Sequence, residues 1–205
     1  MFTPATALLK RCLALTGIAL LVATLSACGP DQPTLAFKGS DITGSHLGKD
    51  LDMVDSSGQA RTLKDYRGKV LVGFFGFTQC PDICPTAMTQ LSQAVELLGP
   101  DASKVQVAMI TVDPQRDTPE VLTEYVRIFH DDFIGLTGTP EQLGKTAKSF
   151  KAFYARVPGA KPDQYTMDHS SSFYIIDPQG EARSLMRGDA TPEELAHDIR
   201  LVLPS

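Results

Sequence analysis

An α/β layer fold with a mixed central β-sheet flanked by helices is predicted by three features of this 205-residue chain. Two continuous apolar runs, "KVLVGFFGF" and "VQVAMITVD", suit strands buried on both faces. Three Thr-Pro-Glu openings, at Thr118, Thr139 and Thr191, set a hydroxyl cap before a proline and an acid, the combination that starts helices. The segment "SSFYIIDPQGEARSLM" reads as a hairpin turning at Asp177-Pro178-Gln179-Gly180. Helices alternating with buried strands, closed by a hairpin and a helix, define that layer architecture. At 42% hydrophobic and 21% charged residues the composition is that of an ordinary globular domain with its own core.

The chain opens with Lys10 and Arg11, then the apolar run "CLALTGIALLVATL", then the small residues of "LSAC". Residues 1–27 resemble a bacterial lipoprotein signal peptide, with Cys28 as the lipidated first residue after cleavage. A plain signal peptide and an uncleaved anchor helix are the alternatives, since the run is only slightly shorter than a membrane span. Each of them exports the body to an oxidising compartment, where thiols need a reductant or a metal to stay unpaired. Loss of Lys10 and Arg11 with the signal takes the formal charge from −5 to about −7, so nucleic acid is not expected as a partner.

Residues 28–45, rich in Gly, Pro, Ser and Asp, read as a flexible tether, which leaves 46–205 as the folded domain. That domain begins with an N-terminal β-hairpin in "LDMVDSSGQARTL", turning at Ser-Ser-Gly. After the first buried strand, "PTAMTQLSQAVELLG" spaces Met88, Leu91, Val95 and Leu98 as a helix does and stops at Gly99-Pro100. The second strand, "VQVAMITVD", leads to helices in "TPEVLTEYVRIF" and "TPEQLGKTAKSFKAFY", and the C-terminal hairpin to a last helix in "TPEELAHDIRLVL". Met88, Met109 and Met186 read as core or helix-face residues, and His46, His130 and His197 as surface residues.

The chemistry concentrates in "FGFTQCPDICPTAM". Cys80 follows a strand and Pro85 suits a helix's first turn, so the two thiols are placed on a strand-to-helix loop and at the helix N-terminus. Exposed amides and the helix dipole there favour the thiolate and predict a lowered thiol pKa. A thiolate is the nucleophile of disulfide exchange and also a soft metal ligand, and the spacing permits either chemistry or a structural disulfide. For a metal, the remaining ligand must come from elsewhere. His169 in "YTMDHSSSFYIID" is the natural candidate, in a loop just before a strand, with Asp168 beside it to orient or tune the ring. Two cysteines and one histidine suit Cu(I) and, with a weaker further ligand, Cu(II), whereas zinc normally wants a fourth strong ligand.

Taken together, "FFGFTQCPDICPT", "ITVDPQRDTPEVL" and "YTMDHSSSFYIIDPQG" resemble the Sco (SenC/PrrC) family of copper-binding assembly factors of cytochrome c oxidase, over about residues 45 to 204. The resemblance implies a thioredoxin-like fold and one Cu(I) or Cu(II) per domain, held by Cys80, Cys84 and His169. It places Asp113 and Asp117 near the site, although both also read as loop structure, Asp117 being well placed to help start the following helix. Gln79 stands where many relatives have histidine, at a position that is not a family ligand. Gly29 follows Cys28 where aspartate would signal inner-membrane retention, so the outer membrane stays open.

The resemblance implies a metallochaperone, anchored through lipid at the periplasmic face of the inner membrane. It would take copper from a periplasmic donor and deliver it to the CuA site of cytochrome c oxidase subunit II, without enzymatic turnover. A thiol-disulfide oxidoreductase that reduces the subunit II cysteines, with Cys80 and Cys84 as its redox-active pair, uses the same residues and leaves His169 dispensable. A redox or copper sensor is the third reading.

Overall fold

The structure is a computed structural model that describes residues 35–161 and 164–204. The segment 1–27, Cys28 and the first part of the tether lie outside the described residues. A six-stranded sheet forms the centre, in the order β1 (Ser40–Asp41), β10 (Ala182–Met186), β9 (Phe173–Ile176), β4 (Val70–Gly76), β5 (Val105–Thr111) and β6 (Ile134–Leu136). β4, β5 and β6 run parallel, and β9, β10 and β1 are added antiparallel, which makes the sheet mixed. Its helices are α1 (Ile83–Leu98), α2 (Pro119–Arg127), α3 (Pro140–Phe150) and α4 (Pro192–Leu201). Among the described residues no helix is long and apolar enough to cross a membrane.

All seven residues of β4 are buried, as its unbroken apolar run demands. Alternation along the strand sorts its side chains to two faces. Phe75 packs edge-on against Phe150 of α3 and against Tyr174, while Phe74 on the other face meets Phe173. Thr118, Thr139 and Thr191 each cap their helix through the hydroxyl, and Gln142 and Glu194 complete reciprocal capping boxes at α3 and α4. α1 and α4 pack against each other, and Leu122 of α2 lies over Gly135 of β6, where a side chain would collide with it.

The N-terminal hairpin is present as β2 (Met53–Val54) and β3 (Ala60–Arg61), and Asp55 ties its turn through Ser57, Gln59 and Arg61. Three features differ from the sequence reading. The third helix stops at Phe150 rather than running to Tyr154, because Lys151 turns left-handed (φ 53°) and closes it. Tyr154, read as a helix end, and His169, read in a loop, instead belong to a separate antiparallel pair, β7 (Tyr154–Pro158) and β8 (Tyr165–His169). The tether read over 28–45 is also shortened at its end, since β1 already pairs with β10 at Ser40 and Asp41.

That entry point is clamped by Asp198, whose side chain is wholly buried. Its carboxylate accepts from the Lys38 and Gly39 amides at 2.7 and 3.0 Å and from the Ser184 hydroxyl at 2.7 Å, with the His197 ring 3.0 Å away. Burial alone would push this carboxyl up, but the amides, the hydroxyl and the imidazole outweigh it and hold it below the usual range. A carboxylate depressed in the folded state stabilises above its unfolded pKa, and that stabilisation disappears as pH falls through the folded value. Asp198→Asn is therefore expected to cost about 1.5–3 kcal/mol near neutral pH. Denaturation midpoints followed from about pH 7 to about pH 2 should show the gap between variant and parent closing in acid; a gap that persists in acid contradicts this account.

Candidate metal centre

β4 ends at Gly76 beneath α1, and the chain turns through Phe77 to Cys80 before the helix begins. Asp117, 1% exposed, holds this turn from the loop that follows β5. It accepts from the Thr78 amide at 3.1 Å, from the Thr78 hydroxyl at 2.6 Å and from the Thr111 hydroxyl at 2.6 Å. Cys84 lies in the first turn of α1, where the amides lack helical partners. Its own amide donates to Cys80 Sγ at 3.3 Å, so the Cys80 sulfur does the capping that the Asp82 side chain does not.

The Cys84 side chain is buried, and its sulfur fills the space beside Gly76. A Cβ at Gly76 would sit 3.1 Å from that sulfur and 2.8 Å from the Phe74 ring, so only glycine lets the sulfur in. His169 arrives at the last position of β8, opposite Tyr154. Its Nε2 lies 3.5 Å from Cys84 Sγ, and its ring stands edge-on to Phe74 and Phe77. Nδ1 is 2.9 Å from the Ser170 carbonyl. A carbonyl only accepts, so the proton sits on Nδ1 and the lone pair of Nε2 faces the sulfur.

The three donor atoms of Cys80, Cys84 and His169 all lie within 4.8 Å of one another, a spacing that one metal ion can bridge. Both cysteines are free; Cys80 is half-buried. Burial pushes the Cys84 thiol far up, the Phe77 main chain draws it part of the way back, and Cys80 and Asp117 add to the rise. The lowered pKa expected from the helix N-terminus is therefore overturned at Cys84, because loss of solvation exceeds what the dipole returns. Burial also lowers the His169 pKa, against the Ser170 carbonyl and the Asp168 charge, so the ring is neutral and ready to ligate near neutral pH.

Of the neighbouring acids, Asp168 keeps one of its two expected roles, and Asp117 and Asp113 take different ones. Asp168 does not orient the ring: it is exposed, one residue from His169 along a strand and so on the opposite side, and acts only through its charge. Asp117 does not start α2, which Thr118 caps, but anchors Thr78 on the cysteine turn. Asp113, 3% exposed, pairs with Arg116 and accepts from the Tyr165 hydroxyl at 2.9 Å. Thr78, Thr111, Gly76, Arg116 and Tyr165 had escaped the sequence reading. Their only signal was proximity in sequence to the cysteines, to Asp113 and Asp117 or, for Tyr165, to His169.

A thioredoxin-like fold that gathers two sulfurs and one imidazole at the end of its central strand defines a class of soft-metal-binding proteins. The SCO1/SenC family model matches residues 40–203, and the chain belongs to that family. A SCO2-like protein of Rickettsia felis is 37% identical over 187 residues, which is 91% of each chain. Among solved structures, Bradyrhizobium japonicum ScoI with copper bound is 38% identical, with a TM-score of 0.68 over 75% of this chain and 97% of that one. BsSco, a member of the Sco family of cytochrome c oxidase assembly proteins in which a disulfide switch was identified, is 25% identical, with a TM-score of 0.58 over 79% of this chain and 95% of that one.

The difference in burial between the two thiols is directly measurable. In the reduced, metal-free protein iodoacetamide is expected to modify Cys80 readily and Cys84 at least tenfold more slowly, with the rates converging on unfolding. Peptide mass spectrometry of timed samples checks this, and equal rates in the folded protein would contradict the burial.

Proposed function

We propose that the chain is a lipid-anchored copper carrier that holds one copper through Cys80, Cys84 and His169 and delivers it to the CuA site of cytochrome c oxidase subunit II. The observation that carries this reading is the convergence of two sulfurs and a neutral imidazole within 4.8 Å of one another. Two thiolates and an imidazole form a soft donor set that suits Cu(I). Membership of the SCO1/SenC family and likeness to a copper-bound ScoI support copper as the cargo. Export through the segment 1–27 and anchoring at Cys28 would hold the carrier on the periplasmic side, and delivery to subunit II calls for the inner membrane, where a periplasmic donor would load it.

Release follows from the unequal exposure of the donors. An incoming thiolate reaches copper first on the side of half-buried Cys80 and displaces that sulfur. His169, half-buried as well, leaves with the hairpin that carries it, and Cys84, fully buried, holds the ion until last. Each bond broken to the carrier is matched by one formed to the acceptor, so copper is never bare.

A second reading has its own observation. Cys80 is the accessible thiol and Cys84 the buried one, the arrangement of an attacking and a resolving cysteine. Cys80 thiolate attacks a partner disulfide, releasing one partner thiolate and forming a mixed disulfide. Cys84, deprotonated as it attacks Cys80 Sγ, then frees the second partner thiolate. The partner is reduced by two electrons, the chain is left with a Cys80–Cys84 disulfide, and an external dithiol must restore it.

His169→Ala separates the two readings. With thiols kept reduced, the variant is expected to lose copper affinity by more than the roughly 10–100-fold typical of losing an outer partner, and to stop metallating a purified subunit II domain. Disulfide exchange with the same domain should be unaffected. Delivery at the parental rate by His169→Ala would refute the carrier reading and favour the reductase.

A further inference from the structure

The hairpin that brings His169 to the sulfurs has little apolar burial to hold it. None of the ten residues of β7 and β8 is fully buried, and the pair forms a sheet of its own. An element of this kind sits at the low end of local stability unless specific contacts fasten it.

Those contacts converge on Arg116. Its Nε donates to the Asp113 carboxylate at the exit of β5. Its Nη1 donates to Gln79 Oε1 at 2.9 Å, next to Cys80, and to the Tyr165 carbonyl at 3.1 Å, at the start of β8. The guanidinium also lies 3.7 Å from the centre of the Tyr165 ring, whose other cationic neighbour, Arg156, is again 3.7 Å away, and 6.0 Å from the Phe77 ring. The Tyr165 hydroxyl donates to the same Asp113. One planar fork therefore joins the β5 exit, the cysteine turn and the first residue of the strand that ends in His169. Lysine has neither the fork nor the flat face needed for these contacts together.

From this geometry we infer that Arg116 is the positioning residue that latches the His169 hairpin onto the cysteine turn and so sets the third ligand of the site. The inference rests on the carrier reading for its consequence, but the latch itself exists without metal. Arg116 touches no ligand atom; it acts through the placement of β8.

The test uses Arg116→Met, Arg116→Lys and Gln79→Ala in the full chain. Gln79→Ala spares the Arg116 pair with buried Asp113, so it remains informative if Met at 116 leaves Asp113 uncompensated and the protein unfolds. In metal-free protein, Arg116→Met should move the His169 ring-proton resonances toward solvent values and speed amide exchange in β7 and β8, leaving β4 and β5 protected. With copper, Cu(I) should still bind at about one per chain through the sulfurs, with affinity lowered roughly tenfold or more. The Cu(II) absorption and paramagnetic resonance spectra should shift to those of His169→Ala.

Arg116→Lys should not restore the parental spectra, Gln79→Ala should shift them part of the way, and Arg116→Met should add nothing once His169 is already alanine. Parental His169 resonances and Cu(II) spectra in both Arg116→Met and Gln79→Ala would overturn the inference, as would fully additive losses in the double variant. A parent that binds no copper, together with a ring freed in metal-free Arg116→Met, would instead sink the carrier reading and leave the latch standing.

Discussion

The burial of β4 on both faces is the constraint from which the site follows. A strand enclosed along its whole length offers chemistry to the outside only where it ends, and this one ends at Gly76. The absence of a side chain there opens a niche, and the next helix fills it with the Cys84 sulfur. Core packing and ligand placement are thus one arrangement: Phe74, on the same face of β4, contacts both the core residue Phe173 and the ring of His169.

Around that fixed sulfur the other two donors are supplied by structure of lesser rigidity. Cys80 belongs to a turn held by the Asp117 carboxylate through Thr78, with its sulfur engaged by the Cys84 amide. His169 belongs to a half-exposed hairpin whose ties to the body are polar and aromatic. Rigidity therefore falls from Cys84 to Cys80 to His169, a gradient that suits an ion meant to leave again.

The sheet strands β4 and β5 and the four helices of the described residues were legible in the sequence because their signals are local: unbroken apolar runs for the strands, helical apolar spacing for α1, and a threonine hydroxyl followed by proline and an acid for the other three. The cysteines and His169 were legible as a set, and the structure brings them together. The β7–β8 hairpin was not. "YARVP" and "YTMDH" are short, largely polar and interrupted by a proline, and what holds them is Tyr165 between the guanidinium of Arg156, on the paired strand, and that of Arg116, from the loop after β5. The roles of Asp113 and Asp117 were hidden for the same reason. Their partners Thr78, Thr111 and Tyr165 are side chains that only the folded topology makes neighbours. The thiol pKa was misjudged at Cys84 because a helix N-terminus is visible in a sequence, whereas the solvent removed from one sulfur is not.

The enclosed Cys84 thiol has a consequence for an empty carrier. Thiolate, not thiol, is what oxidants attack, so a sulfur that keeps its hydrogen when no ion is present is shielded from premature pairing. A soft cation removes that shield by evicting the hydrogen as it binds, so that filling the site acidifies the surroundings and emptying it takes a hydrogen ion back. Occupancy is in this way coupled to ambient acidity by the depth at which one sulfur is set.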